Sequence, residues 1–152
     1  MKTRERGHAM LELALCSALL VSCLGGTFQF GYTFYVYNQL VTAVGNGGRY
    51  AATRTYRAAG AGDIEKGVKA IRNMVVFGDP EQRAGAEPVV AGLTPEKVNV
   101  KWVNDPSGAP TAVEVSIEEF DLNAVFKTIR FSGRPGVEFP FAGRYAPSER
   151  EP

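Results

Sequence analysis

The sequence predicts an α+β fold: a long transmembrane α-helix at the N-terminus, followed by a small antiparallel β-sheet domain with a second, short helix. Two observations predict it. No charged residue occurs from Leu13 to Gly48, whereas charged residues are spread along the chain from Arg49 onward. Beyond that point one segment repeats its apolar residues at helical spacing, and several others alternate apolar with polar residues. The predicted units are a leader at residues 1–7, the helix at 8–60, the α+β domain at 61–146 and a tail at 147–152.

The leader and the apolar run together predict an orientation in the membrane. The leader carries three basic residues and a single acid, Glu5, so by the positive-inside bias it should remain in the cytoplasm. Leu13–Gly31 alone has 19 residues, and a helix needs about 20 to cross the hydrocarbon core of a bilayer. Amphipathic aromatic residues follow and suit the outer membrane–water interface: Tyr32, Phe34, Tyr35 and Tyr37. We therefore expect an inner-membrane protein with its C-terminal domain outside the cytoplasm.

One carboxylate, Glu12, lies just inside the apolar run, five residues after Gly7. A charge at the centre of a membrane helix costs about 2.5–3.5 kcal/mol on insertion scales, so it normally has a function or a partner. The alternative is a carboxylate near the cytoplasmic edge that reaches water along its own side chain. A cleaved secretory signal would also explain the leader, but the apolar character continues well past an ordinary signal, and Glu12 interrupts it.

Two cysteines, Cys16 and Cys23, lie in the apolar run. In a helix their seven-residue separation is about 10 Å, which is too far for a disulfide within the chain. Both are interpreted as small apolar packing residues. Leu20–Cys23 also fits the pattern of a lipobox, so lipidation of Cys23 is the alternative form of membrane attachment.

Small residues continue beyond the apolar run and predict close helix packing. Residues at three- and four-residue spacing mark one side of the helix: Leu40, Val44, Gly47 and Ala51. This pattern fits a stripe along which another helix approaches closely. The glycines at 45, 47 and 48 each cost about 0.8–1 kcal/mol relative to alanine in a helix. The segment is therefore a kink or break, a helix that its neighbours hold together, or a flexible linker.

A second helix and a hairpin open the distal domain. Asp63 can cap a helix, and Gly78 should end it. The apolar positions of this helix follow a helical period: Ile64, Val68, Ile71 and Val75. Lys97–Val103 and Val113–Ile117 then alternate apolar with polar residues on either side of a turn signal at residues 105–108. These two segments predict a hairpin with one buried face.

The last part of the domain gives weaker signals. Residues 81–95 are rich in Gly, Pro and Ala and predict a loop. Asn123–Phe131 is ambiguous between a short helix and a strand. Val137–Phe141 alternates again, and Pro140 suits an edge strand. A loose tail is expected from Ala146.

The sequence gives no support to catalysis or to nucleic-acid binding. The single histidine lies at the membrane edge, and no zinc-type spacing, P-loop or Gly-x-Ser-x-Gly motif occurs. Glu118 and Glu119 are adjacent, so on a strand they point to opposite faces rather than forming an acid–base pair. The net charge is +1 and the basic residues form no stripe. We therefore expect a protein that is not an enzyme and that needs no cofactor or metal.

Four motifs occur in order along the first sixty residues: Arg6-Gly7, Glu12, Phe30-Gly31-Tyr32, and a small-residue segment from Ala43 that closes with Arg49-Tyr50-Ala51-Ala52. In this order and spacing they resemble the TadE/TadG-like family, pilin-like proteins of tight-adherence (type IVc) pilus systems. The resemblance covers about a third of the chain. Two positions depart from the family pattern, Leu13 after the glutamate and Gly48 in place of the alanine before Arg49.

The resemblance implies a processing and assembly mechanism. A prepilin peptidase would cut after Gly7, so that His8 becomes the N-terminus, with a free or methylated amine. Glu12 would then be the fifth residue of the mature chain, and its carboxylate would pair with the amine of a neighbouring subunit. Helix packing would use small residues along the helix: Gly31, Ala43, Gly47 and Ala51.

The leading hypothesis is a structural, pilin-like subunit of such a filament or of its assembly machinery, which supports surface adhesion. Its implied partners are other pilin-like subunits, the prepilin peptidase and the inner membrane, and once assembled it would lie in a cell-surface filament. A major subunit of this pilus type would be much shorter, which favours a minor pilin or pseudopilin. The alternative is a binding module of the cell envelope, tethered by an uncleaved helix or by lipid on Cys23.

Overall fold

A computed structural model describes residues 2–54, 56–57, 61–124 and 126–146 of the chain. Within these ranges the protein has an α+β fold with two α-helices, one short 3-10 helix (Pro95–Lys97) and three small sheets, which confirms the predicted fold class. The α-helices are α1 (Lys2–Ala52) and α2 (Ala61–Phe77). The strands are β1 (Tyr56–Arg57), β2 (Val98–Asn104), β3 (Pro110–Ile117), β4 (Phe120–Asn123), β5 (Thr128–Phe131), β6 (Gly136–Pro140) and β7 (Tyr145–Ala146).

Helix α1 is continuous over 51 residues, about 75 Å at 1.5 Å per residue. It passes through the glycines at 45, 47 and 48 without interruption, so neither a break nor a flexible linker forms there. It ends at Ala52, and strand β1 lies within the range that the sequence assigned to the helix. The Thr53 hydroxyl donates to the Arg49 and Tyr50 carbonyl oxygens at 3.2 Å, and the Ala142 N–H donates to the Ala52 carbonyl at 2.9 Å. These bonds satisfy terminal carbonyls that a further turn would otherwise have to satisfy.

The C-terminal third of α1 belongs to the core of the distal domain. Its buried apolar residues pack with α2 and the sheet: Val36, Leu40, Ala43, Val44, Ala51 and Ala52. Leu40 and Val44 are completely buried. Burial of an aliphatic side chain of this kind stabilises a fold by about 1.5–3 kcal/mol. The boundary between anchor and domain therefore falls inside α1, near Val36, rather than at residue 61.

Helix α2 forms where its apolar spacing predicted a helix, and it packs across the C-terminal third of α1. Ile71 and Val75 are buried. The Arg72 Nε group donates to the Val98 carbonyl oxygen at 3.0 Å and ties α2 to β2. The helix begins at Ala61, so Asp63 lies in the first turn rather than at the cap position. An acidic residue in the first turn still interacts favourably with the helix dipole. The helix ends before Gly78, whose φ is +71°.

The main sheet has the antiparallel order β2-β3-β6, and it confirms the predicted hairpin. In register, Trp102 pairs with Val113, which pairs with Phe139 on β6. In the β2–β3 turn the Asp105 carboxylate accepts hydrogen bonds from the Ser107 and Ala109 N–H groups, both at 2.9 Å. Ser116, expected on the exposed face, is buried because β3 is the central strand and Ser116 pairs with Gly136.

In the ambiguous segment 123–131, Asn123 ends strand β4 and Thr128–Phe131 forms strand β5. β4 and β5 pair antiparallel, and their hairpin carries a bidentate ion pair in which Arg130 Nε and Nη2 donate to the two carboxylate oxygens of Asp121, at 2.7 and 3.0 Å. On the other side of the hairpin, the Phe131 ring lies 5.7 Å from the Tyr37 ring of α1. β7 pairs in parallel with β1, and the predicted tail beyond Ala146 lies outside the described residues.

Candidate functional site

The N-terminal half of α1 is apolar and projects away from the domain. Ten of its large apolar side chains are between 61 and 78% exposed: Met10, Leu11, Leu13, Leu15, Leu19, Leu20, Val21, Leu24, Phe28 and Phe30. The helix is long and apolar enough to cross a membrane, and none of its most apolar window is buried in the protein. An apolar surface of this size requires a cover, and a bilayer is the cover that its length and uniformity fit.

Three hydroxyl groups of α1 donate to carbonyl oxygens of the helix itself. The Ser22 hydroxyl donates to the Ala18 carbonyl at 2.8 Å, and the Thr27 hydroxyl to the Cys23 carbonyl at 3.0 Å. Thr33 makes the same bond to Gln29 at 2.9 Å. A polar group without a partner is expensive in hydrocarbon, so these internal bonds make the segment compatible with a membrane.

The residues predicted for processing and assembly lie at the start of the exposed half. Gly7, His8 and Glu12 are all exposed, and a side chain at Gly7 would meet nothing within 4 Å. His8 and Glu12 are four residues apart in α1, so they share one face of the helix about 6 Å apart along the axis. Among the residues that the structure describes, none covers this face.

Both cysteines are free and exposed on α1. Because the helix is continuous there, Cys16 and Cys23 are separated by about 10 Å along its axis and cannot form a disulfide with each other. Cys23 borders a shallow apolar groove with Phe30 and Gly31. The thiol of Cys23 is therefore accessible from the surface that would face lipid.

Three of the four predicted packing residues are buried against the distal domain. Ala43, Gly47 and Ala51 lie in the core, and the helix that approaches Gly47 is α2 of the same chain. A Cβ atom at Gly47 would overlap the Cγ2 atom of Val75. Gly31 differs from the other three, because it is exposed and a side chain there would meet nothing within 4 Å.

The structure explains why glycine occupies position 48. A Cβ atom there would lie 2.6 and 2.8 Å from two ring atoms of Phe139 and 3.1 Å from Val137. Carbon atoms in ordinary contact are about 3.5–4.0 Å apart, so an alanine would push β6 away from α1. The departure from the family pattern at Gly48 thus accompanies the close packing of this sheet on the helix.

One contact was not anticipated from the sequence. The turn between β4 and β5 reaches back along α1, where the Gln29 Oε1 atom accepts a hydrogen bond from the Phe126 N–H at 2.9 Å. The Gln29 Nε2 group donates to the Lys127 carbonyl at 3.4 Å. Gln29 is the one side-chain amide between Leu13 and Gly31, and this exception in an apolar run is the signal that could have drawn attention to it.

Two carboxylates with lowered pKa values, Asp121 and Asp105, lie on strand β4 and in the β2–β3 turn. The hydrogen bond from Arg130, together with its charge, lowers the pKa of Asp121. Hydrogen bonds, first from the Ser107 hydroxyl and then from the Ala109 N–H, lower the pKa of Asp105. Glu118 accepts a hydrogen bond from Asn99 at 2.8 Å. Within the described residues no group of three or more His, Cys, Asp or Glu side chains could hold a metal ion.

Comparison with known proteins identifies one family. The model of the family described as TadE-like protein matches residues 7–49, which confirms the resemblance predicted from the sequence. The match begins at Gly7 and covers the exposed apolar half of α1 and most of its buried third. No curated protein matches the chain, and no solved structure matches it. The match shows that this segment is similar to TadE-like proteins, and it contains most of the one described helix that is long and apolar enough to cross a membrane.

Proposed function

We propose that this chain is a minor pilin or pseudopilin of a tight-adherence pilus system, processed by a prepilin peptidase after Gly7 and packed into a filament through α1. The observation that carries the proposal is the register of Gly7 and Glu12 at the start of an exposed apolar helix, inside the segment that the TadE-like family matches. The protein would hold its distal domain outside the cytoplasm and, in the filament, support surface adhesion.

The exposed state of His8 and Glu12 supports pairing between subunits. After cleavage His8 carries a free amine, and a neighbouring subunit shifted by about 6 Å along the helix axis would bring that amine level with Glu12. Pairing would offset the burial of both charges, whereas a subunit in a different register would leave one charge unpaired. Glu12 would thereby select the register of assembly.

The burial of one face of α1 between Val36 and Ala52 restricts which small residues can contact a neighbour. Ala43, Gly47 and Ala51 are buried in the distal domain of the same chain, so the subunit-packing surface in this proposal lies between Glu12 and Tyr35. Gly31 is the predicted packing residue that stays accessible there. A small residue at this position lets the backbones of two helices approach closely.

The test is to express the chain with and without the matching prepilin peptidase and to determine the N-terminus. Cleavage should give a chain that begins at His8, and a chain that still begins at Met1 in the presence of an active peptidase would refute the proposal. Glu12→Ala should be cleaved at the normal rate but should not enter filaments. Glu65→Ala is the matched control, because Glu65 is an exposed carboxylate on α2 and should affect neither step.

The exposed Cys23 thiol keeps one alternative testable, a lipid-anchored binding module. Lipid labelling that disappears in Cys23→Ser but persists in Cys16→Ser would favour it, since both thiols are exposed on the same helix. Absence of labelling in the wild-type chain, together with cleavage after Gly7, would exclude it.

A further inference from the structure

We infer that the β4–β5 turn is a second membrane contact, in which Phe126 inserts into the interfacial region of the outer leaflet and fixes how deeply α1 sits in the bilayer. The inference requires that α1 spans a bilayer. It does not depend on cleavage after Gly7 or on filament assembly, and it assigns a lipid surface as the partner of this turn.

The turn is held to α1 by a specific contact. A single side-chain amide, that of Gln29, satisfies both the Phe126 N–H and the Lys127 carbonyl. A Cβ atom at Gly25 would lie 3.0 Å from two ring atoms of Phe126, so glycine at this position lets the ring lie close against the helix. Gln29 and Phe126 are 97 residues apart in sequence, and their contact therefore joins the distal domain to the apolar half of α1.

The contact lies within the apolar run rather than beyond it. Gly25 is six residues before Gly31, about 9 Å along the axis. At the same level Leu24 and Phe28 are exposed at 74 and 67%, and the Phe126 ring beside the helix is exposed at 71%. An aromatic ring of the distal domain therefore shares a surface with side chains that the helix presents to lipid, and this continuity identifies lipid as the occupant.

The chemistry of the turn suits the interface better than the hydrocarbon core. Lys127 is exposed, and its ammonium group would lie among lipid headgroups while the Phe126 ring lies at the boundary below. The Phe126 N–H and the Lys127 carbonyl already bond to Gln29, so their approach to lipid leaves neither group unpaired. The outer boundary of the hydrocarbon would then lie near Gly25, not at the aromatic residues that follow Gly31.

This boundary changes the depth of Glu12. The hydrocarbon core is about 30 Å thick, which corresponds to about 20 helical residues. Counting back from Gly25 places the inner boundary near residue 5, so that Glu12 lies about 10 Å inside it. With the outer boundary at Gly31, Glu12 would instead lie at the inner edge. The turn thus limits how far α1 can move along the membrane normal and holds the Glu12 carboxylate within the membrane.

Tryptophan fluorescence of the full chain in vesicles tests this inference. The protein is reconstituted in phosphatidylcholine with a minority of phosphatidylglycerol, with bromine atoms placed either high or low on the acyl chains. Wild type supplies a reference, because Trp102 is the single tryptophan and lies at the level of Phe139 and Gly48, about 35 Å beyond Gly25 along α1. Phe126→Trp adds a reporter at the turn.

We expect Phe126→Trp to add blue-shifted emission that high bromines quench several-fold more than low bromines, while the Trp102 emission of wild type is barely quenched. Val103→Trp is the matched control, since Val103 is an exposed apolar residue near Trp102, and its emission should not be quenched. Gln29→Leu in the Phe126→Trp chain should weaken the quenching, because the turn loses its attachment to α1.

Three results would overturn the inference. Aqueous emission from the introduced tryptophan without quenching would place the turn in water. Blue-shifted emission without quenching would show that protein, such as a neighbouring chain, covers the turn instead of lipid. Stronger quenching by low bromines than by high ones would place the ring in the hydrocarbon core and the outer boundary at the aromatic residues after Gly31. An unchanged far-ultraviolet circular dichroism spectrum in each variant establishes that the domain remains folded.

Discussion

Replacement of Gly47 by alanine tests the packing that joins the long helix to the distal domain. Gly47 is buried where α2 crosses α1, and an added Cβ atom would overlap Val75 Cγ2. Val75 is completely buried and β-branched, so in a helix its χ1 angle has one strongly preferred value and the methyl group cannot simply rotate away. The two helices must separate locally, or the Val75 rotamer must strain.

The expected effect follows from two opposing contributions. Alanine is favoured over glycine inside a helix by about 0.8–1 kcal/mol. Overpacking of a core by one carbon atom costs about 1–3 kcal/mol, and the severe overlap with Val75 places Gly47→Ala near the upper limit. The net loss of unfolding free energy should be about 2 kcal/mol.

Gly45→Ala provides the matched control on the same helix. A Cβ atom at Gly45 would meet nothing within 4 Å, so the variant keeps only the gain in helix propensity and should be stabilised by about 1 kcal/mol. The two substitutions are chemically identical, and the expected difference between them, about 3 kcal/mol, isolates the contact with α2.

Urea unfolding in mild detergent micelles, followed by the fluorescence of Trp102, measures both variants. Trp102 is the single tryptophan and packs against the core of the distal domain, so its emission reports the unfolding of that domain. A double-mutant cycle with Val75→Ala should show a favourable coupling of about 1–2 kcal/mol, because the smaller side chain accommodates the new methyl group. If Gly47→Ala stabilised the domain as much as Gly45→Ala does, the placement of α2 on this face of α1 would be refuted.

Three further substitutions test other contacts by the same unfolding assay. Gly48→Ala should destabilise the domain by about 1 kcal/mol, because the added Cβ atom would overlap Phe139. The loss should be smaller than for Gly47→Ala, because an aromatic ring at a partly buried site can shift. A stabilised variant would contradict the packing of β6 on α1. Asp121→Asn should make the stability of the domain less dependent on pH in acid. The bond from Arg130 lowers the pKa of Asp121, so the ion pair stabilises the domain above about pH 4 and this stabilisation is lost as the pH falls through the lowered pKa. Equal pH profiles for variant and wild type would contradict this. Glu119→Gly should stabilise the domain by about 0.5–1 kcal/mol, because Glu119 has a φ of +53°, a left-handed conformation that glycine adopts without steric cost. A loss of stability would show that the Glu119 side chain makes a necessary contact.

Local patterns in the sequence were enough to predict helix α2, the hairpin of β2 and β3, and the edge strand β6 of the distal domain. The three- and four-residue spacing that includes Ile71 and Val75 predicted α2, and the alternation around Trp102 predicted β2. The turn at Asp105 was equally clear, because its carboxylate bonds to N–H groups only two and four residues away. Signals of this kind depend on neighbours in the chain, and the sequence displays them directly.

Contacts between distant segments could not be predicted in the same way. The small residues around Gly47 indicated that a helix approaches closely, but the partner, Val75, is on an element that the spacing alone could not choose. The end of α1 depends on the Ala142 N–H, which satisfies the Ala52 carbonyl from the far end of the sequence. The attachment of Phe126 to Gln29 spans 97 residues and follows no periodicity. Each of these features was set by tertiary packing rather than by local preference.

The division of α1 into an exposed half and a buried third constrains how the chain could leave a membrane. Because Leu40 and Val44 are completely buried in the distal domain, that domain cannot pivot freely on its anchor, and any axial movement of the helix carries the domain with it. The bonds from Gln29 carry the β4–β5 turn along as well. Extraction into a filament would therefore expose Phe126 and the apolar face below it together, and a neighbouring subunit would have to cover both. In the proposed function, the contact that sets the depth of Glu12 in the bilayer is thus part of the surface that assembly must replace.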